Sequence, residues 1–139
     1  MIIGVGLDIC MIKRIESTLY KYGTKFKERC FTQNEIFKCD KRFNSVACYA
    51  KRFAAKEAFS KAIGTGMSKG VSWKNIEVYN KRSGQPQIKL HGNAIKILDS
   101  LVPNNMIPKI FISITDEKEI AKAFIIIEAI KKVKLWIQY

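Results

Sequence analysis

The chain has 139 residues, of which 47% are apolar, and it carries a formal charge of +13. That length suits one domain with a modest core, and that apolar fraction excludes a disordered chain. The charge favours acidic partners (nucleic acid, anionic lipid, a phosphorylated cofactor or an acidic protein) without choosing among them.

Cys10, Cys30, Cys39 and Cys48 are widely spaced and form no CxxC pair, and His91 is the only histidine. Structural zinc sites use tight ligand pairs, so none is expected here. Four free thiols point instead to a reducing cytoplasm. The opening MIIGVGLDIC lacks the basic region and long apolar stretch of a signal peptide. No apolar run approaches the ~20 residues of a membrane span.

Residues 2–9, IIGVGLDI, read as a strand rich in Ile and Val. The fragment at 4–6, GVG, hints at a dinucleotide fingerprint, but the third glycine is missing and no helix opens directly after it. Residues 12–22 read as a helix stopped by Gly23, followed by a helical turn around 25–30. Thr32-Gln33-Asn34-Glu35 is a capping box that opens another helix. Asn44 is expected to cap a long helix over about 45–63 that ends at Gly64. Ala50, Ala54, Ala58 and Ala62 give that helix a small-residue ridge suited to close packing.

Strands at 76–79 and 87–90 flank the turn Arg82-Ser83-Gly84-Gln85. A short amphipathic helix from Gly92 to Leu101 precedes a loop bracketed by Pro103 and Pro108. Strands at 109–115 and 121–128 are joined by the acidic turn Asp116-Glu117-Lys118-Glu119. The order β-α-α-α-β-β-α-β-β predicts an α+β fold with no second domain, repeat or linker. The tail after Glu128, with Lys131, Lys132, Lys134 and Trp136, reads as a frayed or amphipathic helix with a solvated face. The domain is therefore assigned to 1–128 and a basic tail to 129–139.

Residues 51–66, KRFAAKEAFSKAIGTG, concentrate the chemistry. A helix there aligns Arg52, Lys56 and Ser60 on one ridge and Phe53, Glu57 and Lys61 on the next, ahead of Gly64-Thr65-Gly66. Asp8 lies in an apolar strand, where a carboxylate needs a cation, a metal or several donors. Each signal alone has an ordinary explanation: a structural salt bridge for Asp8, and a surface i,i+4 pair for Glu57 and Lys61. Together they are more specific. Two carboxylates on different elements can hold magnesium while leaving room for water and pyrophosphate oxygens. Lys61 can neutralise developing charge, and Arg52 or Lys56 can hold other phosphate groups. The amides of the Gly-Thr-Gly turn can face phosphates, or simply close the helix.

Three segments carry a family resemblance: GVGLDICMIKRIE at 4–16, RFAAKEAFSKAIGTGMSKGVSW at 52–73 and SGQP at 83–86. They resemble the holo-acyl-carrier-protein synthases, the small bacterial phosphopantetheinyl transferases, from Ile3 to about Glu128. The resemblance implies a small antiparallel sheet with a long helix packed on it. It also implies transfer of 4′-phosphopantetheine from coenzyme A to a serine of apo-acyl carrier protein, with release of 3′,5′-ADP, in support of fatty acid biosynthesis. By this likeness Asp8 and Glu57 are magnesium ligands and Lys61 contacts the reacting phosphate. Arg52, Ser60, Gly64, Thr65 and Gly66 lie along the coenzyme A site, and Gly84 and Pro86 match a turn presented by a neighbouring subunit of a homotrimer. Arg14, with Phe26 and Arg29, matches the surface that meets the acidic carrier helix. Ser113-Ile114-Thr115-Asp116 departs from the pattern, placing aspartate where many relatives have histidine. The rival readings are a small basic nucleic-acid-binding domain and an inactive scaffold for an acidic protein. Neither accounts for Asp8, Glu57 and Lys61 together.

Overall fold

The computed structural model describes residues 1–133. Strand β1 (Ile2–Met11) leads through α1 (Ile12–Tyr22), α2 (Thr24–Cys30) and α3 (Gln33–Asp40) to the long helix α4 (Ser45–Ala62). A single 3₁₀ turn (Trp73–Asn75) and the hairpin β2 (Ile76–Asn80) and β3 (Pro86–Leu90) follow. Helix α5 (Asn93–Leu101) then feeds β4 (Met106–Glu117) and β5 (Ile120–Lys131). The α+β class is the one expected, but four helices rather than three precede β2, because the turn expected around 25–30 is the seven-residue helix α2.

Local chemistry sets most boundaries. The Thr32 hydroxyl accepts from the Glu35 amide at 3.3 Å while the Glu35 carboxylate accepts from the Thr32 amide at 3.0 Å, completing the capping box. Asn44 caps α4 by accepting from the Ala47 amide at 3.1 Å. Past its C-cap, Gly64 takes φ +79°, a left-handed conformation that glycine adopts without a Cβ penalty.

Strands β1, β5 and β4 form an antiparallel sheet in that order, and β2 pairs with β3 separately. One face of β5 buries Ala121, Ala123, Ile125, Ile127 and Ala129, the period-2 pattern of a half-covered strand. Helix α4 packs over this face with Ala50, Ala54, Ala58 and Ala62, all buried. The two glycines of GVG explain how the helix comes so near. A Cβ at Gly6 would overlap the Ala58 carbonyl oxygen, and one at Gly4 would overlap that of Ala62. They are contact glycines for α4, and the dinucleotide reading is superseded.

Three further expectations change. Strand β4 begins at Met106, so Pro108 lies within it rather than in a loop. β4 is an edge strand, where a missing amide donor is tolerated. β5 continues through Lys131, so the boundary proposed at 128 falls inside a strand and no helix begins there. Lys134 and Trp136 lie outside the described residues. Finally, the cysteines are not four free thiols: Cys39 and Cys48 form a disulfide joining the end of α3 to the start of α4, while Cys10 and Cys30 are free and buried. Among the described residues, no helix is long and apolar enough to cross a membrane.

Candidate active site

The close approach of α4 to β1 brings Asp8 to the last turns of the helix. Lys61 donates to the Asp8 carboxylate at 2.8 Å and to the Leu7 carbonyl at 3.1 Å. The side chain of Asp8 is 16% exposed and that of Lys61 is 52% exposed, so the acid is sheltered while the cation remains reachable from solvent. The hydrogen bond to Asp8 raises the Lys61 pKa and favours its charged form. One helical turn earlier lies the half-buried Glu57. Burial pushes its carboxyl pKa up, the charge of Asp8 pushes it further, and Lys61 and Arg14 pull it back. Arg14 thus belongs to the electrostatic neighbourhood of this acid pair.

Among the described residues there is no group of three or more His, Cys, Asp or Glu side chains able to hold a metal. The pair Asp8 and Glu57 nevertheless fits magnesium, which is commonly bound through one or two carboxylates with substrate phosphates completing the shell. Burial raises the Glu57 pKa most and the charge of Asp8 adds to it, and a divalent cation held there would offset that second effect.

The two ridges of α4 have different fates. Phe53, Glu57 and Lys61 remain partly accessible, whereas Arg52, Lys56 and Ser60 are buried. Lys56 cannot meet a phosphate as expected: its ammonium donates to Glu35, to the Cys30 carbonyl at 2.8 Å and to the Trp73 carbonyl at 3.1 Å. The cause is the turn of the helix, which aims position 56 at the capping box of α3. Ser60 is also fully buried, and its hydroxyl donates to the Glu57 carbonyl at 2.7 Å. The turn amides are occupied too. Gly64 donates to the Lys61 carbonyl, and Thr65 and Gly66 both donate to that of Ser60. Gly64-Thr65-Gly66 therefore closes the helix and does not aim its amides outward.

Arg52 sits elsewhere. It lies nine residues before Lys61, roughly 13 Å along the helix axis, and lines a cavity of about 470 Å³ together with Gly84, Pro86, Arg42, Lys51 and Asp116. Arg52 donates to Cys48 Sγ at 3.2 Å and to Asn80 Oδ1 at 3.0 Å, and its buried Nε has no partner. Arg42, Lys51 and Arg52 give the cavity cationic walls that suit an anion. Asp116 is held by Lys51 at 3.3 Å. Sequence reasoning missed Arg42 and Lys51, for which neither periodicity nor a motif gave a signal.

On the other flank of α4, Phe53 gathers the residues expected to meet a carrier. The exposed Arg14 guanidinium lies 5.6 Å from the Phe53 ring centroid, and the half-buried Phe26 lies 6.2 Å from it. Arg29 is exposed on α2. One chain thus holds two separate groups: Asp8, Glu57, Lys61 and Arg14 at one, and Arg52, Gly84 and Pro86 at the other.

Asp8 is sheltered and paired with a reachable lysine where a helix lies on glycines of the first strand, within an α+β domain. The family model of the 4′-phosphopantetheinyl transferase superfamily matches residues 4–123, and the chain belongs to that superfamily. It is 48% identical over 130 residues to the holo-[acyl-carrier-protein] synthase of Methylorubrum populi, covering 94% of this chain and 96% of that one. The solved holo-[acyl-carrier-protein] synthase of Neisseria meningitidis matches with a TM-score of 0.80 and 35% identity, over 92% of this chain and 99% of that one. The Bacillus anthracis enzyme, solved in complex with CoA (3′,5′-ADP), matches with a TM-score of 0.73 and 37% identity, over 91% of this chain and 96% of that one.

Proposed function

We propose that this chain is a holo-[acyl-carrier-protein] synthase acting in the cytoplasm. It moves 4′-phosphopantetheine from coenzyme A to a serine of apo-acyl carrier protein and so equips the carrier for fatty acid biosynthesis. The observation that carries the reading is the sheltered Asp8 paired with the reachable Lys61 beside a raised Glu57. A basic nucleic-acid-binding domain has no use for that arrangement.

In the reaction the serine oxygen bonds to the β-phosphorus, the bond from that phosphorus to the bridging oxygen breaks, and 3′,5′-ADP leaves with the electron pair. Such transfers depend on positioning and on neutralising charge. Asp8 fixes the Lys61 ammonium, which neutralises charge growing on the bridging oxygen. Magnesium held by Asp8 and Glu57 would supply further charge neutralisation at the pyrophosphate. The serine proton passes to a water molecule oriented by the carboxylate of Asp8 or Glu57. Mixing the protein with coenzyme A, magnesium and apo-carrier and weighing the carrier tests the reading; a carrier of unchanged mass would reject it. Because Lys61 acts on developing charge, Lys61→Ala should lower kcat at least about tenfold, or ~1.4 kcal/mol of barrier, with little change in the KM for coenzyme A. An unchanged kcat would reduce Lys61 to a surface ion pair.

Homotrimeric assembly belongs to the same proposal. The sheet face turned away from α4 exposes Val5, Leu7 and Ile9 of β1, Phe124 of β5 and Phe111 of β4. The register aligns Val5, Ile126 and Phe111 across the three strands, so the exposed apolar side chains form one surface. A continuous apolar face of this kind marks an association site. Assembly would also let Arg52, Gly84 and Pro86 of one subunit complete the site built on Asp8 and Glu57 of another, which explains why one chain keeps them apart. Light scattering should report a trimer, and Val5→Lys should shift it toward monomer with loss of activity. A fully active monomer would refute shared sites.

A further inference from the structure

We infer that the Cys39–Cys48 pair is a thiol–disulfide modification site that sets how well the neighbouring cavity holds the nucleotide end of coenzyme A. The inference rests on the reading of that cavity proposed above. Cys39 lies at the end of α3 and Cys48 in the first turns of α4, nine residues apart, with Cα atoms 5.4 Å from each other. The bond therefore closes the segment Lys41–Asn44, from which Arg42, Phe43 and Asn44 all line the cavity. It also fixes Cys48 Sγ, which lines the cavity and accepts the 3.2 Å hydrogen bond from Arg52. Forming the bond pre-arranges one cavity wall and the guanidinium beside it; opening it returns freedom to both.

The two sulfurs are not equivalent. Cys39 is fully buried, whereas Cys48 is 6% exposed and borders the cavity, so reagents meet Cys48 first. Oxidation by a small-molecule disulfide such as oxidised glutathione proceeds by exchange. The Cys48 thiolate attacks the glutathione disulfide and expels one glutathione thiolate, forming a mixed disulfide. The Cys39 thiolate then attacks Cys48 Sγ and expels the second. Two electrons pass from the protein to the oxidant, and the two thiol protons end on two molecules of reduced glutathione. Reduction runs the reverse path through attack on Cys48. A disulfide in a protein of the reducing cytoplasm is commonly a redox-sensing one. Because Cys48 lines the cavity, a nucleotide there shields it from a reductant; separately, tighter binding to the oxidised form favours the disulfide by the same factor at equilibrium.

The test uses the full chain equilibrated with oxidised or reduced glutathione, with the bond located by non-reducing peptide mapping. Coenzyme A affinity is measured calorimetrically in each state. The reduced form should bind coenzyme A at least about threefold more weakly, as expected for loss of pre-arrangement. Saturating coenzyme A should slow reduction of the bond. Cys48→Ser keeps an oxygen acceptor for Arg52 and leaves only the fully buried Cys39, so it should show one affinity in both buffers, which separates this pair from Cys10 and Cys30. Equal affinities in the two states, no bond between Cys39 and Cys48 in oxidised glutathione, or a Cys48→Ser chain that still responds would each overturn the inference. A bond that forms while coenzyme A binds in neither state would bring down the reading of the cavity itself, and the coupling with it.

Discussion

Asp8→Ala should lower kcat/KM for carrier modification on the order of a hundredfold or more, the scale seen when a group that organises transition-state charge is removed. Glu57→Gln, which keeps the shape and removes the charge, should do the same, and a strong chelator should suppress the unaltered chain. The effect is large because Asp8 serves two neighbours at once. It holds the Lys61 ammonium at 2.8 Å, and its charge bears on Glu57, the second carboxylate of the proposed magnesium site. The fold should survive, since β1 is held by its backbone pairing to β5 and by the contacts of Gly4 and Gly6 with α4. Circular dichroism of each variant checks that point. Asp8 and Lys61 act as one unit, so an Asp8→Ala/Lys61→Ala chain should lose much less than the product of the two single losses. Strictly multiplicative losses would mean independent roles. Full activity in a metal-depleted assay would remove magnesium from the site.

The sequence disclosed the grouping of Asp8, Glu57 and Lys61 better than the cavity around Arg52, for a physical reason. Asp8, Glu57 and Lys61 lie on two elements, β1 and α4, whose contact is encoded by small residues: Gly4 and Gly6 on the strand, and Ala58 and Ala62 on the helix. A ridge of alanines at period four announces close packing, and an acid in an apolar strand calls for a partner. The caps at Thr32 and Asn44 were legible because their chemistry is local. What spacing could not show was the direction in which each helical ridge faces. Arg52, Lys56 and Ser60 share a ridge, but the helix turns that ridge inward, so their polar atoms meet Asn80, Glu35 and a backbone carbonyl. The cavity of Arg42, Lys51, Arg52, Gly84 and Asp116 draws on four separate segments, and the Cys39–Cys48 bond depends on how α3 is set against α4. Long-range placement of that kind leaves no periodic trace.

Lys56 gives the clearest separation between a binding role and a structural one. Its side chain is fully buried against an equally buried Glu35, and Glu35 in turn accepts from the Thr32 amide at 3.0 Å and the Val78 amide at 3.1 Å. One ion pair thus ties α4 to the capping box of α3 and to strand β2. Burial pulls the Lys56 pKa down and Glu35 pulls it back up, so the ammonium depends on that carboxylate to remain charged away from water. Lys56→Met should therefore destabilise the chain by about 3–5 kcal/mol, the usual cost of leaving one partner of a buried pair uncompensated. Urea unfolding monitored by the fluorescence of Trp73, whose carbonyl also accepts from Lys56, measures it. Adding Glu35→Gln should recover part of the loss by removing the stranded charge. It should not recover all, because the amides of Thr32 and Val78 then lose a charged acceptor. Had Lys56 faced the phosphates of coenzyme A, the same substitution would raise the KM for coenzyme A and leave the unfolding midpoint in place. A raised KM with an unchanged midpoint would overturn the buried assignment and return Lys56 to the coenzyme A site.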